Sequence, residues 1–259
     1  MRSVVWSFLF LLVAQTVEAK LVTKTVTYRQ GGAVLEGYVA YDDSVKGKRP
    51  GILVFHEWTG IGPYVKKRVD QLAVMGYVAF AADVYGQGIR PATPEAAAKE
   101  AGKYKADRKL LRDRGRAALD ELRKMPEVDP TRLAAIGYCF GGTAALELAR
   151  SGAPLAGVVS FHGGLDTPVP ADALNIRGKI LVLHGADDPI VPHDQVVAFQ
   201  QEMRLARVDW QMISYGGAVH SFTNPDSGND PAKGVAYNQS ADRRSWEHMK
   251  LFFSEIFRR

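Results

Sequence analysis

The sequence predicts an α/β fold in which helices cover both faces of a mostly parallel central sheet, with antiparallel strands at the N-terminal side. Short apolar runs bounded by glycine, proline and polar residues recur along the chain, as expected for strands. Longer helical segments separate most of these runs, which favours parallel pairing. The first two runs are joined only by Gln30-Gly31-Gly32, a connection that favours a hairpin.

Eight strands are predicted, and each is rich in β-branched, aromatic or other apolar residues. They are Lys24 to Tyr28, Ala33 to Tyr41, Gly51 to Phe55, Tyr77 to Ala82, Leu133 to Ile136, Ala156 to Phe161, Lys179 to Leu183 and Asp209 to Tyr215. A helix is predicted from about Gly142 to Arg150, directly after the fifth strand. Because the sequence contains no repeat, low-complexity tract or linker, residues 20–259 are expected to form one domain.

The first nineteen residues have the layout of a signal peptide. Arg2 precedes an apolar stretch from about Val4 to Ala14, and small or permissive residues end at Ala19. We expect cleavage after Ala19 and export to the periplasm or the medium, with no stable membrane association afterwards. An uncleaved anchor is the alternative, although the apolar stretch is short for a membrane span.

Cys139 is the only cysteine, so the chain is not a disulfide scaffold. It stands in Gly137-Tyr138-Cys139-Phe140-Gly141, directly after the apolar run that ends at Ile136. A nucleophile in a sharp strand-to-helix turn needs small residues two positions before and after it, and Gly137 and Gly141 meet that need. A lone cysteine is more often a buried core thiol. The residues that follow in the chain favour the catalytic interpretation.

An acid and a base follow Cys139 in the order typical of the α/β-hydrolase fold. After the strand that ends at Leu183, two carboxylates compete in one loop, and the spacing of Asp188 to Val191-Pro192 favours Asp188 over Asp187. His220 lies in a glycine-rich loop after the last strand and is the candidate base. The other histidines lie at predicted strand ends (His56, His162, His184) or on predicted helices (His193, His248).

These features together resemble the dienelactone hydrolase family of the α/β-hydrolase fold, over nearly all of the chain after the first two dozen residues. The resemblance rests on the cysteine elbow and on His56-Glu57-Trp58-Thr59-Gly60 after the third strand. Ala82-Asp83-Val84-Tyr85 and Gly217-Ala218-Val219-His220-Ser221-Phe222 also match.

The resemblance implies a Cys139, His220 and Asp188 triad, with Glu57 beside the thiol. A nearby carboxylate disfavours the thiolate, so the resting sulfur is expected to be mostly neutral. The fold implies that the backbone N–H groups of Trp58 and Phe140 form the oxyanion hole. Tyr85, Tyr138, Phe222 and Asn224 are expected to line the substrate pocket.

The resemblance also bears on the charge of the substrate. Chlorocatechol-pathway members grip a substrate carboxylate with arginines, one of them four residues after the catalytic histidine, where this chain has Asn224. Lys99, Lys103 and Arg108 are ambiguous matches to the other arginine. We therefore expect a preference for neutral esters or lactones, or anion binding through a different basic residue.

Several other functions are less favoured. The net charge is +5, but acidic residues interrupt the basic positions of a predicted helix (Lys105, Arg108, Lys109, Arg112 and Arg116), which favours a solvated face over nucleic-acid binding. His184, Asp187, Asp188 and His193 lack zinc-ligand spacing, so no metal is expected. No nucleotide fingerprint implies an organic cofactor.

The predicted function is hydrolysis of esters or lactones through an acyl-thioester of Cys139, by a monomer or small homo-oligomer. A broader carboxylesterase or carbohydrate esterase on the same residues is one alternative. A catalytically silent secreted binding protein is the other, since the fold alone does not determine function.

Overall fold

The computed structural model describes residues 20–258, so the predicted signal peptide lies outside the described residues. The strands are β1 (Leu21–Gln30), β2 (Ala33–Asp42), β3 (Arg49–Phe55), β4 (Val78–Ala82), β5 (Val128–Tyr138), β6 (Gly157–Phe161), β7 (Lys179–Gly185) and β8 (Trp210–Tyr215). The helices are α1 (Pro63–Val74), α2 (Pro94–Ala106), α3 (Arg108–Lys124), α4 (Phe140–Arg150), α5 (His193–Leu205) and α6 (Gln239–Ile256). Short 3-10 turns occupy Pro170–Asn175, Pro225–Ser227 and Pro231–Lys233.

The eight strands form one sheet in the order β1-β2-β4-β3-β5-β6-β7-β8. β1 pairs with β2, and β2 with β4, in antiparallel register, while the other five pairings, from β4-β3 to β7-β8, are parallel. The predicted fold class is therefore confirmed, including the antiparallel N-terminal strands. A parallel sheet is buried on both faces, which explains why its strands read as nearly continuous apolar runs.

In the central strands, alternate residues supply two hydrophobic cores, one on each face of the sheet. In β3, Leu53 and Phe55 pack into the core on the face covered by α3 and α4, whereas Ile52 and Val54 belong to the core beneath α1 and α6. This period of two fixes the register of the sheet, since a slip of one residue would exchange its two faces.

Helix α4, which carries the cysteine elbow at its start, is buried along its whole length. Arg150 at its end donates to Glu147 and Glu202 at 3.0 and 2.7 Å, and its side chain is about 1% exposed. Charges so far from water must be paired. The ion pairs therefore hold α4 against α5, on which Glu202 lies.

The structure corrects the expectation for the basic helical segment. Asp107 separates α2 from α3 by accepting the backbone N–H of Leu110, so Lys105 lies on a different helix from the other basic residues. Arg108 is buried and ion-paired with Asp166, and Arg112 contacts Glu147 and Asp172. Only part of this segment is a solvated face.

Within residues 20–258, no helix combines the length and the apolar character needed to cross a membrane.

Candidate active site

The sharp turn from β5 into α4 places Cys139 above the carboxyl edge of the sheet. Cys139 has φ 54° and ψ −118°, a conformation that a residue with a side chain rarely adopts. A Cβ atom at Gly137 would lie 1.9 Å from the Gly141 carbonyl oxygen, and one at Gly141 would lie 2.3 Å from the Phe55 carbonyl oxygen. Both glycines are therefore required for the close packing of α4 against the sheet.

Two hydrogen bonds join the three residues of the predicted triad. His220 Nε2 lies 3.0 Å from Cys139 Sγ, and His220 Nδ1 lies 2.8 Å from Asp188 Oδ2. His220 and Asp188 are each about 5% exposed, while Cys139 is half-buried. Nδ1 donates to the carboxylate, which leaves Nε2 to share a proton with the sulfur.

Burial disfavours the protonated imidazole, but the charges and hydrogen bonds of Cys139 and Asp188 outweigh it and raise the pKa of His220 to about 10. The sulfur and the carboxylate that face His220 therefore both favour its protonated form. This arrangement can supply a thiolate nucleophile.

Asp188 is fixed by its own loop. Its second oxygen, Oδ1, accepts the backbone N–H of Ile190 at 2.8 Å and of Val191 at 3.3 Å. Asp187 is exposed instead, and its carboxylate accepts the backbone N–H of Gly217 at 2.9 Å. Of the two carboxylates that competed in the sequence, Asp188 is therefore the one in contact with His220.

Glu57, which follows β3, lines the same cavity as Cys139, but its carboxylate is not hydrogen-bonded to the sulfur. Its described partners are Ser221 Oγ at 3.1 Å and Asn224 Nδ2 at 2.7 Å, both donors. Burial raises the pKa of Glu57, and these two hydrogen bonds oppose the rise. The expected thiol–carboxylate contact is thus replaced by contacts to the loop that carries His220.

Ser221 was not anticipated from the sequence. It directly follows His220 and has φ 60°, so the backbone turns sharply at the base. The only indication in the sequence that Ser221 belongs to the site was its position in the segment Gly217 to Phe222, which resembles the family.

The loop that holds Trp58 is fixed by His56. Burial lowers the pKa of His56 to about 4, and the neutral ring donates from Nδ1 to the Glu57 carbonyl oxygen at 2.6 Å while Nε2 accepts the Val84 N–H at 3.3 Å. Within residues 20–258, the backbone N–H of Trp58 donates to no other group, and Phe140 begins α4, where N–H groups lack intrahelical acceptors. Both residues line the cavity beside Cys139, so both amides can serve an oxyanion.

The cavity above Cys139 has a volume of about 940 Å³. Small residues of α2 (Ala98, Ala101 and Gly102) form one wall, and the half-exposed side chains of Trp58 and Ile190 lie on others. Asn224 also lines this cavity.

The structure places the three predicted aromatic pocket residues elsewhere. Tyr138 and Phe222 belong to the core beneath α1 and α6, with no exposure. Tyr85 is also buried, and its hydroxyl donates to the Trp58 carbonyl oxygen at 2.8 Å. It therefore supports the loop that carries Trp58. Strand alternation explains Tyr138, whose neighbour Cys139 is turned towards the cavity.

Of the basic residues considered for anion binding, Lys99 and Lys103 are not among the cavity-lining residues, whereas Arg108 is, with Lys105 beside it. Arg108 Nη2 is already engaged by Asp166 Oδ2 at 2.5 Å. Arg108 is therefore paired through Nη2 alone, and its Nε and Nη1 have no hydrogen-bond partner among the described residues.

Comparison with known proteins identifies the family of this chain. The model of the dienelactone hydrolase family matches residues 35–257. The solved structure named m3DLH is 43% identical with a TM-score of 0.89, covering 92% of this chain and 99% of that chain. The structure of a dienelactone hydrolase-like promiscuous phosphotriesterase from metagenomic libraries is 41% identical with a TM-score of 0.87, covering 93% of this chain and all of that chain (100%).

A curated relative is also similar over most of its length. A candidate carboxymethylenebutenolidase of Aquifex aeolicus is 29% identical over 203 residues, which are 77% of this chain and 86% of the relative. The chain belongs to the dienelactone hydrolase family of the α/β-hydrolase fold and is an ester or lactone hydrolase.

Proposed function

We propose that the enzyme cleaves ester or lactone bonds through covalent catalysis by Cys139, with His220 as the base and Asp188 as the residue that orients it. The observation that carries this proposal is the pair of hydrogen bonds from Cys139 Sγ to His220 and from His220 to Asp188, on the wall of a 940 Å³ cavity. Nucleophile, base and orienting acid in mutual hydrogen-bond reach are the requirement for this chemistry.

In the acylation step, His220 holds the thiol proton and Cys139 Sγ attacks the acyl carbon, so that a carbon–sulfur bond forms. The carbonyl electrons move to oxygen, where the Trp58 and Phe140 amides donate to the oxyanion. When the intermediate collapses, the carbon–oxygen bond of the ester breaks. His220 then returns its proton to the departing alkoxide.

Deacylation follows the same steps, with water as the nucleophile. His220 accepts a proton from water as the oxygen attacks the thioester, and the oxyanion hole is used again. Collapse breaks the carbon–sulfur bond, releases the carboxylic acid and restores the sulfur to its pair with His220. Asp188 keeps Nδ1 protonated throughout, so that Nε2 faces the reaction.

The surroundings of Cys139 support a neutral substrate. Asn224, which is uncharged, already donates to Glu57, and Arg108 is engaged by Asp166. A bulky or aromatic acyl or alcohol group suits the large cavity. A broader carboxylesterase or carbohydrate esterase on the same residues is distinguished from a lactonase by screening both substrate classes.

A second candidate activity is hydrolysis of neutral phosphotriesters. The relative named as a promiscuous phosphotriesterase is 41% identical and aligned over 93% of this chain. A phosphotriester, like an ester, is uncharged and develops negative charge on one oxygen, which the two amides can receive. Turnover of a neutral 4-nitrophenyl phosphotriester that is lost in Cys139→Ala supports this activity; its absence in wild type contradicts it.

The test of the main proposal is a rapid-mixing assay with an activated 4-nitrophenyl ester. We expect a burst of nitrophenol equal to the enzyme concentration, lost in Cys139→Ala, with the acylated peptide identified by mass spectrometry. Binding of the ester without turnover by folded wild type indicates the alternative, a silent binding protein. Full activity of Cys139→Ala contradicts the proposal.

We further propose that the protein acts after export, with its mature chain beginning at Lys20. N-terminal sequencing after expression in an exporting host tests this. An intact Met1 on a cytoplasmic protein contradicts it.

A further inference from the structure

Four polar side chains near the Cys139 elbow take no part in the chemistry proposed above; three are buried, and the fourth, Tyr64, is half-buried in the cavity wall. We propose that four positioning residues, His162, Thr223, Tyr64 and Arg68, hold two segments in a fixed relative position. These segments are the nucleophile elbow (residues 137–141) and the base loop, the loop from His220 to Thr223. This inference rests on the proposed role of Cys139 and His220. It adds residues that act through them and do not touch the substrate's reacting atoms.

The first link joins His162 to the nucleophile. Tyr138 at the end of β5 is paired with Phe161 at the end of β6, so Cys139 and His162 are the next residues on neighbouring strands. Both have positive φ, 54° and 40°. The Cys139 backbone N–H donates to His162 Nδ1 at 3.1 Å and is shared with the Phe161 carbonyl oxygen at 3.0 Å. Strained backbone of this kind persists only when its surroundings hold it.

The second link fixes the tautomer of His162. Because Nδ1 accepts the Cys139 N–H, the ring proton of neutral His162 must be on Nε2, which donates to Thr223 Oγ1 at 2.7 Å. Burial, together with the charge of His220, lowers the pKa of His162 and keeps the ring neutral. The two imidazole rings contact each other edge to face, with centroids 5.5 Å apart. His162 thus touches both the nucleophile's backbone and the base.

The third link anchors Thr223, which has no exposure and lies three residues after His220. Its hydroxyl is hydrogen-bonded to the Tyr64 hydroxyl at 2.6 Å, and either can donate. Arg68 Nη2 donates to the Thr223 carbonyl oxygen at 2.9 Å, and Arg68 Nε donates to the Tyr64 hydroxyl at 3.2 Å. Arg68 also pairs with Asp242. Helices α1 and α6 therefore hold the base loop by side chain and backbone alike.

Stability alone does not explain why these groups are polar. Replacing both partners of a buried hydrogen bond by apolar groups of similar shape is often nearly neutral for stability, whereas a half-satisfied polar chain is costly. What the chain of polar hydrogen bonds adds is a defined relative orientation of the groups that it joins. It places the Cys139 backbone, the His162 ring and the His220 loop at defined distances, and a misplacement of about 1 Å in such a site costs on the order of 100-fold in rate.

The decisive test compares Thr223→Val with Thr223→Ser. Valine keeps the shape but removes the acceptor of His162 Nε2–H, so kcat should fall about 10- to 100-fold while KM stays within about threefold. Serine keeps the hydroxyl and should restore most of kcat. Thr131→Val is the matched control, because it removes a hydroxyl that donates to Asp129 at the opposite end of β5 and should leave kcat unchanged.

If Thr223→Val does not fold, His162→Asn and His162→Leu replace it. Asparagine keeps an acceptor near the position of Nδ1, so it should retain about tenfold more kcat than leucine, the effect of one hydrogen bond of about 1.4 kcal/mol. Unchanged kcat in Thr223→Val, equal losses in the valine and serine variants, or equal losses in the two His162 variants overturn the inference. An active Cys139→Ala instead overturns the proposed function, so the two failures are distinguishable.

Discussion

Asp188→Asn is the substitution for which the structure makes the sharpest prediction. Oδ1 of Asp188 accepts two backbone N–H groups, from Ile190 and Val191. An asparagine must keep its oxygen there, because an amide nitrogen at that place would face two donors and leave them unsatisfied, at about 1 to 3 kcal/mol each. The amide nitrogen is therefore turned towards His220 Nδ1.

This orientation of the amide changes the tautomer of His220. With a donor facing it, Nδ1 of His220 becomes the acceptor, and the ring proton moves to Nε2, where it faces Cys139 Sγ. The base then cannot accept the thiol proton. The analogous change in a serine triad lowers kcat on the order of 10⁴-fold, which is about 5.4 kcal/mol at 1.36 kcal/mol per tenfold change. We expect a loss of about 10³- to 10⁴-fold here.

The assay is the pre-steady-state burst with a 4-nitrophenyl ester between about pH 6 and 10. Because an unassisted thiol ionises near pH 8.5, the acylation deficit of Asp188→Asn should shrink above about pH 9. Asp187→Asn is the matched control, since the Asp187 carboxylate is adjacent in the chain but accepts the backbone N–H of Gly217 and does not contact His220. A loss in Asp187→Asn with near wild-type rates in Asp188→Asn would show that the orienting acid has been misassigned.

Further predictions concern three residues of the cavity. Cys139→Ala should fold normally and lose turnover by about 1000-fold or more; activity within a few fold of wild type contradicts the mechanism. Because burial raises the pKa of Glu57 above 4.5, its ionised form destabilises the fold at higher pH. Glu57→Gln should thus raise the unfolding temperature near pH 8 and much less near pH 4, whereas equal shifts at both pH values refute the reasoning. Asn224→Arg should improve kcat/KM for dienelactone relative to a neutral ester by about 10- to 150-fold at low salt; strong wild-type preference for dienelactone that the variant does not change argues against a neutral cavity.

The sheet was predictable because burial on both faces leaves a clear sequence pattern. All eight predicted strands are present, and their errors are confined to the ends, such as β5, which begins at Val128 and not at Leu133. The break at Asp107 was missed, because a helix N-cap within a run of charged residues looks like an interruption of one helix. Local pattern therefore identifies elements more reliably than it identifies their caps.

The candidate site divides in the same way. Cys139, Asp188 and His220 could be selected because each follows a strand in a fixed order along the chain. The burial of Tyr138 could not be predicted, since adjacent residues at a strand end point in opposite directions and only the backbone of the elbow decides which one faces the cavity. The relation of Glu57 to Ser221 and Asn224 joins segments more than 160 residues apart, and no local pattern contains it.

The small residues of α2 have a consequence for how this enzyme can change. The loop from His220 to Thr223 makes catalytic and positioning contacts, so substitutions there alter rate and specificity together. Ala98 and Gly102 make none of these catalytic or positioning contacts. A Cβ atom at Gly102 would meet nothing within 4 Å. Alanine at that position also removes the helix penalty of glycine, about 1 kcal/mol. The α2 wall is thus the place where directed evolution can reshape the substrate range at little cost to stability, leaving the chemical machinery untouched.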